Sequence, residues 1–253
     1  MIHQFIFAAP KPGLTEKQFQ EYWLNVHAVN FASKIPQIKK YQIGRRLPKL
    51  DQSESPLWNG VAEIWLRNDE DQIASLQTEE FIKGARADEP NWAAFWRSLV
   101  LDTEDSERFQ YCDEPEADVV KLLVLGKGLS GMSLNEFREE SRVRASEAAG
   151  QMIGLVSYAH YFTRDAMYSV GEAPLDVVHA LRFRSLNVAH DAISSGRVNE
   201  FITGQGGVAE TNLLRPCIRS ARRGIIIRSW SMKIGCLVPR RGNDDKESTR
   251  YRR

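Results

Sequence analysis

The 253-residue chain has only three cysteines, Cys112, Cys217 and Cys236, an odd number with no Cys-x-x-Cys pair. That usage excludes a disulfide framework and a thiolate zinc site and fits a reducing compartment. Long apolar runs are also missing: nothing approaches the roughly 18 residues of a membrane span. The opening MIHQFIFAAPKPG lacks a basic start and is polar again by Lys11, so a cytoplasmic protein without a membrane partner is expected. No GxGxxG follows a strand-like run, and GxxxxGK[ST], GxSxG and HExxH do not occur. Nucleotide, flavin and zinc-hydrolase chemistry are thereby disfavoured, and no cofactor or metal is expected. Charge of one sign is lacking as well, since 34 Lys and Arg against 33 Asp and Glu leave +1. From Arg215 onward the balance is nevertheless +9, ending in the polar PRRGNDDKESTRYRR. With little aromatic interleaving, this end reads as a solvated, disordered tail over 236–253, and nucleic acid is not an expected partner.

What is present is a globular composition, 42% hydrophobic and 26% charged, long enough for two units of about 120 residues. The chain resembles itself at an offset of about 118 residues. FIFAAPKPGLTEKQFQEYW, from Phe5 to Trp23, parallels LVLGKGLSGMSLNEFREES, from Leu123 to Ser141. Gly13 matches Gly131, Thr15 matches Ser133, Phe19 matches Phe137 and Glu21 matches Glu139. Farther on, Val61 to Trp65 and Val177 to Leu181 are set side by side as corresponding strands, which places His179 opposite Glu63.

Within the first unit, Ile2 to Ala8 is a strand, and Thr15 caps a helix with Gln18 at the capping-box position. Phe19, Trp23, Val26 and His27 recur along one helix face, and Pro36 ends the segment. Lys39 to Leu47 and Trp58 to Leu66 read as strands, Asp71 to Ile82 as a helix and Arg97 to Thr103 as the last strand. This βαββαβ order is ferredoxin-like. The fold class expected is α+β: two such units, 1–108 and 117–235, packed sheet to sheet as an intrachain pseudo-dimeric α+β barrel. Glu104 to Glu116 is the expected linker, and Ile225 to Ile227 lies in the expected last strand.

The stretch KPGLTEKQFQEYWLNVHAVNFASKIPQIKKY carries Pro12, Gly13, Phe19, Tyr22, Trp23, His27, Ala28, Pro36 and Tyr41. It resembles the EthD-like branch of the dimeric α+β-barrel superfamily, over roughly Ile2 to Thr103. In the second unit Ser141, Ala145 and Gly154 stand at the places of Trp23, His27 and Pro36, so that copy reads as degenerate. The resemblance implies a cofactor-independent enzyme, a dehydratase, cyclase, isomerase or oxygenase, acting on aromatic or polyketide-like compounds.

His27 is the expected acid or base, since an imidazole near pKa 6.5 suits proton transfer at neutral pH. Taken alone, it reads equally as a helix-terminal structural histidine. Tyr41 is its expected hydrogen-bonding partner, and Glu63 or His179 the second proton carrier. Glu63 on an apolar strand face also fits an ion pair with Arg45 or Arg46. Tyr158, His160 and His179 alternate on strands of the second unit and are expected to share a cavity with Tyr41, or else to be satisfied core residues. Trp23, Trp58, Trp65 and Trp96 complete the expected substrate-binding set. Five of the six tryptophans precede residue 97, which places the ligand site in the first unit. The expected partner is a small hydrophobic substrate, and self-association into a homo-oligomer is compatible with the fold. The reading from another class is a non-catalytic carrier of a hydrophobic metabolite.

Overall fold

In the computed structural model, the residues described are 1–47, 50, 56–104, 108–112, 119–169, 171–205, 209–212 and 217–220. The first half opens with strand β1 (Ile2–Ala8) and helix α1 (Glu16–Tyr22). Thr15 and Gln18 close the expected capping box: Thr15 Oγ1 accepts from the Gln18 N–H at 3.2 Å, and Gln18 Oε1 accepts from the Thr15 N–H at 2.9 Å. The helix then widens into a π-helical segment, Trp23–His27, and returns to α2 (Ala28–Asn30). Strands β2 (Lys40–Arg46) and β3 (Gly60–Leu66) follow, then α3 (Asp69–Leu76). A second π-helical segment, Glu80–Ala85, leads straight into α4 (Arg86–Trp92), and β4 (Leu99–Glu104) completes the unit.

The helix expected from Asp71 to Ile82 is therefore two elements, because Thr78 breaks the pattern and its hydroxyl caps the Phe81 N–H. Trp92 closes α4, whereas Trp96 lies in a separate 3₁₀ turn, Phe95–Arg97. Part of the expected linker is strand: β5 (Arg108–Gln110) pairs with a strand of the second half. The second half continues with β6 (Val120–Gly128), α5 (Leu134–Gly150), β7 (Leu155–Phe162), β8 (Val177–Phe183), α6 (Leu186–Ser194), α7 (Arg197–Gly204), β9 (Ala209–Asn212) and β10 (Cys217–Ser220). The run Ile225 to Ile227 and the tail 236–253 lie outside the described residues.

The sheet order is β4-β1-β3-β2-β10-β6-β8-β7-β5, with β9 also on β6, and its pairings are antiparallel. Each half thus shows the ferredoxin-like arrangement in which the first strand lies beside the third. β10 joins the halves on one side. On the other, Thr103 bridges Thr163, and the Arg164 N–H donates to the Asp102 carbonyl at 2.9 Å. The sheet so curls into a barrel, an α+β fold with helices outside.

Strand alternation sends side chains to the two faces. Phe5, Phe7, Val61, Leu101, Leu123, Leu125, Val178 and Ala180 interlock between the halves. The outer face of the first half packs Ala62, Ile64 and Tyr41 against Phe19, Trp23 and Trp92. The outer face of the second packs Leu122, Tyr158 and Leu181 against Ala145, Ala149 and Phe201. Gly60 permits the close approach of β3 to the π-helical segment: a Cβ there would lie 3.0 Å from the Trp23 ring and 3.1 Å from the Gly44 carbonyl oxygen.

Candidate active site

The outer face of the first half is incompletely filled. Between β1, β2 and β3 and the helices lies a cavity of about 580 Å³, mouth included. Trp23, His27, Tyr41, Glu89, Trp92 and Ser98 are the lining residues that carry polar side-chain groups, and Ile6, Ile35, Ile64, Phe81 and Phe95 are among its apolar walls. Both π-helical segments border it, through Trp23 and His27 on one and Phe81 and Ala85 on the other. Such wide turns concentrate at functional sites because they re-aim side chains at the cost of regular hydrogen bonding.

His27 is buried, and its Nδ1 lies 2.9 Å from Asp88 Oδ2. Asp88 Oδ1 accepts from the Tyr22 hydroxyl at 2.7 Å and from Asn91 Nδ2 at 3.0 Å. Burial opposes the charge on Asp88, but Asn91, Tyr22 and His27 together hold its carboxyl below the usual range. The Trp92 indole N–H lies 3.1 Å from the same His27 Nδ1. One nitrogen cannot both donate to Asp88 and accept from Trp92, and the charged acceptor is the stronger partner. The proton therefore sits on Nδ1, and Nε2 carries the lone pair, with no hydrogen bond to the described residues. Burial lowers the His27 pKa, with Asp88 pulling the other way, so the imidazole is neutral at neutral pH. Tyr41 Oη accepts the Trp23 indole N–H at 3.0 Å, and burial pushes its pKa up, so its hydroxyl hydrogen is retained for donation.

Trp23, His27 and Tyr41 line one cavity, but the partner of Tyr41 is Trp23 and not His27, which pairs with Asp88 and Trp92 instead, and Glu63 and Trp65 are not with them. Glu63 faces the barrel interior, where His3 Nε2 lies 3.2 Å from one carboxylate oxygen and Lys121 Nζ 2.5 Å from the other. Burial resists its ionisation, but Lys121 and His3 hold it well below the usual carboxylate range. Its partners are not Arg45 or Arg46; Arg46 reaches Glu16 instead, at 2.7 Å. Trp65 stacks on His3, Trp58 packs on Phe7 beside the interior core, and Trp96 is 73% exposed.

Tyr158, His160 and His179 lie on the outer face of the second half and are not among the residues lining the cavity that holds Tyr41. The correspondence with Glu63 was one residue out of register. Phe5 pairs with Glu63, and its counterpart Leu123 pairs with Ala180, so His179 matches Ala62. One residue reverses the face in a strand. In this register Tyr158 stands where Tyr41 stands and His160 where Ile43 stands, each directly across from its β8 or β3 neighbour. Trp23 and His27 on the helix become the small Ser141 and Ala145, while Ile43 and Ala62 on the sheet become His160 and His179. The Tyr158 hydroxyl pairs with His179 Nδ1 at 2.8 Å, as Tyr41 does with Trp23. The bulk lost from the helix is returned from the sheet.

Asp88, Glu89 and Trp92 complete the site without having been assigned to it from the sequence. The signal available was Asp88 four residues before Trp92, the spacing that places both on one helix face. Among the described residues no three His, Cys, Asp or Glu side chains converge as metal ligands do, and no helix is long and apolar enough to cross a membrane.

The stretch holding this constellation is recognisable by sequence. Residues 11–95 match the EthD domain. The EthD match contains Trp23, His27, Tyr41, Asp88, Glu89 and Trp92 and ends before β4. No curated protein matches the sequence. Among solved structures, the chain is similar to an anthrone oxidase-like protein, with 11% identity, 87% of this chain and 90% of that chain covered, and a TM-score of 0.59. It is also similar to a mutant chlorite dismutase from Candidatus Nitrospira defluvii, with 11% identity, 87% and 90% coverage, and a TM-score of 0.51. At these identities the likeness establishes the barrel fold of both halves and not their chemistry.

Proposed function

We propose that the EthD half is a cofactor-independent acid–base enzyme that dehydrates or cyclises a hydrophobic, oxygenated aromatic or polyketide-like compound. The observation that carries this reading is the His27–Asp88 pair, which leaves the Nε2 lone pair to a cavity walled by aromatic and aliphatic side chains. Nε2 takes a proton from carbon or a phenolic oxygen. Asp88 holds the Nδ1–H and stabilises the imidazolium that forms, while Tyr41 donates to the oxygen on which charge develops. The apolar walls fix the ring and keep water from competing.

A phenolate made by His27 is equally the first species needed for cofactor-free oxidation, and the anthrone oxidase-like name of one structural relative keeps that reaction as the second reading. Metabolites that accumulate on deletion of the gene identify the substrate class. With that substrate, product mass and oxygen uptake separate loss of water from oxidation. His27→Ala is expected to fold and to lose at least about 100-fold in kcat; near wild-type turnover by this variant refutes the proposal.

A further inference from the structure

The cavity has a second ionisable group. Glu89 follows Asp88 on α4 and lines the cavity with His27. The charged and titratable groups around it are Arg86 and Asp88 on its own helix, Tyr41 on β2 and His27 across the cavity. Burial pushes the Glu89 carboxyl above the usual range and Asp88 adds to this, against the pull of Arg86. Adjacent carboxyls displaced in opposite directions mark one as a fixed charge and the other as a proton carrier. Arg86 Nη1 reaches Glu89 Oε2, and the same guanidinium lies 4.0 Å from the centroid of the Phe95 ring, itself a wall of the cavity.

We propose that Glu89 is the proton donor of this site and that Arg86, seated on Phe95, is a latch that keeps it ionised while the cavity is empty. The inference rests on the acid–base reading above and narrows it to loss of water from a β-hydroxy carbonyl compound. His27 Nε2 takes the proton on the carbon next to the carbonyl, and that C–H electron pair becomes the C=C bond. The C–O bond breaks with its electron pair, and the Glu89 proton joins the departing hydroxyl as water. An imidazolium and a carboxylate remain, and one proton returned from His27 to Glu89 through water at the mouth resets the pair. Neither oxidant nor reductant is consumed. A ligand settling on Phe95 parts Arg86 from Glu89, and the carboxylate, losing its cation, takes up its proton from solvent as the site fills.

The test uses 4-nitrophenol, whose absorption reports its own ionisation. Bound against His27 it becomes a phenolate, which a charged Glu89 repels. Affinity is measured across neutral pH for the wild type, E89Q, R86Q and H27A. Above the Glu89 titration, wild-type Kd is expected to rise relative to E89Q by up to about tenfold per pH unit, and R86Q to move that break to higher pH. A wild-type to E89Q ratio independent of pH overturns the role of Glu89. If E89Q does not fold, the break in R86Q decides, and a break that stays in place or moves down overturns the latch and donor together. A bound-phenolate band that survives in H27A refutes the His27 reading instead, so the two failures are distinct.

Discussion

Replacing Asp88 by asparagine removes a charge while keeping shape, and its effect can be worked out from the three groups bonded to it. In the wild type the carboxylate fixes the His27 proton on Nδ1. Asparagine has no charge to hold it there, and the Trp92 indole N–H already lies 3.1 Å from Nδ1, ready to donate. The imidazole proton then moves to Nε2, where the base is needed. The same exchange of tautomer in a serine-protease triad costs about 10⁴-fold in kcat. Here the cavity is open at one side, so a loss of roughly 10² to 10³-fold is expected, with little change in KM. The hydrogen bonds from Tyr22 and Asn91 change from charge-assisted to neutral, which costs about 1–3 kcal/mol of stability. Removing the Asp88 charge also removes what raises the His27 pKa, so that pKa falls further. Long-range ¹H–¹⁵N correlation spectra of ¹⁵N-histidine-labelled protein report the tautomer directly. Persistence of the Nδ1–H form in D88N would refute the assignment of Asp88 as a positioning residue, whatever the kinetics show.

Glu63→Ala leaves the buried His3 and the half-buried Lys121 without their carboxylate and is expected to lower unfolding free energy by about 3–5 kcal/mol in denaturant titration. Because the Glu63 pKa is depressed in the folded state, its contribution is present above its unfolded pKa of 4.5 and is lost as pH falls below it. An acid-stability curve unchanged by Glu63→Gln would contradict this. Burial pushes the pKa of His160 down to about 4 and that of His179 down to about 3, so both favour the folded state above their unfolded value of 6.5. That stability is lost as pH falls from about 6.5 through 4 for His160 and through 3 for His179, and His179→Phe should flatten the decline, read by thermal melts at stepped pH; an unaltered slope would count against it. Gly60→Ala forces a methyl against the Trp23 ring and is expected to cost about 1–3 kcal/mol while disturbing the Trp23 to Tyr41 hydrogen bond, visible in tryptophan fluorescence. A stable variant with native fluorescence would show that the cavity wall yields there.

Elements whose causes are local could be read from the residues alone. The Thr15 capping box, the continuous β-rich strands and the Phe19, Trp23, His27 helix face were legible because each depends on residues within a turn or two of one another. The EthD-type pattern placed Trp23, His27 and Tyr41 in one group, and the structure brings those three to one cavity. The rest depends on contacts between elements distant in the chain. Which face of β3 carries Glu63 follows from strand register, and a one-residue slip against β8 was enough to exchange an interior ion pair for a histidine on the outer face. The two π-helical turns and the approach of α4 to His27 arise from packing over the sheet, so Asp88, remote in sequence, had no local mark as the group that sets the imidazole's tautomer. Periodicity tells a side chain which neighbours it shares a face with, but only the closed barrel settles which face is interior, and therefore which buried charges meet each other and which meet a ligand.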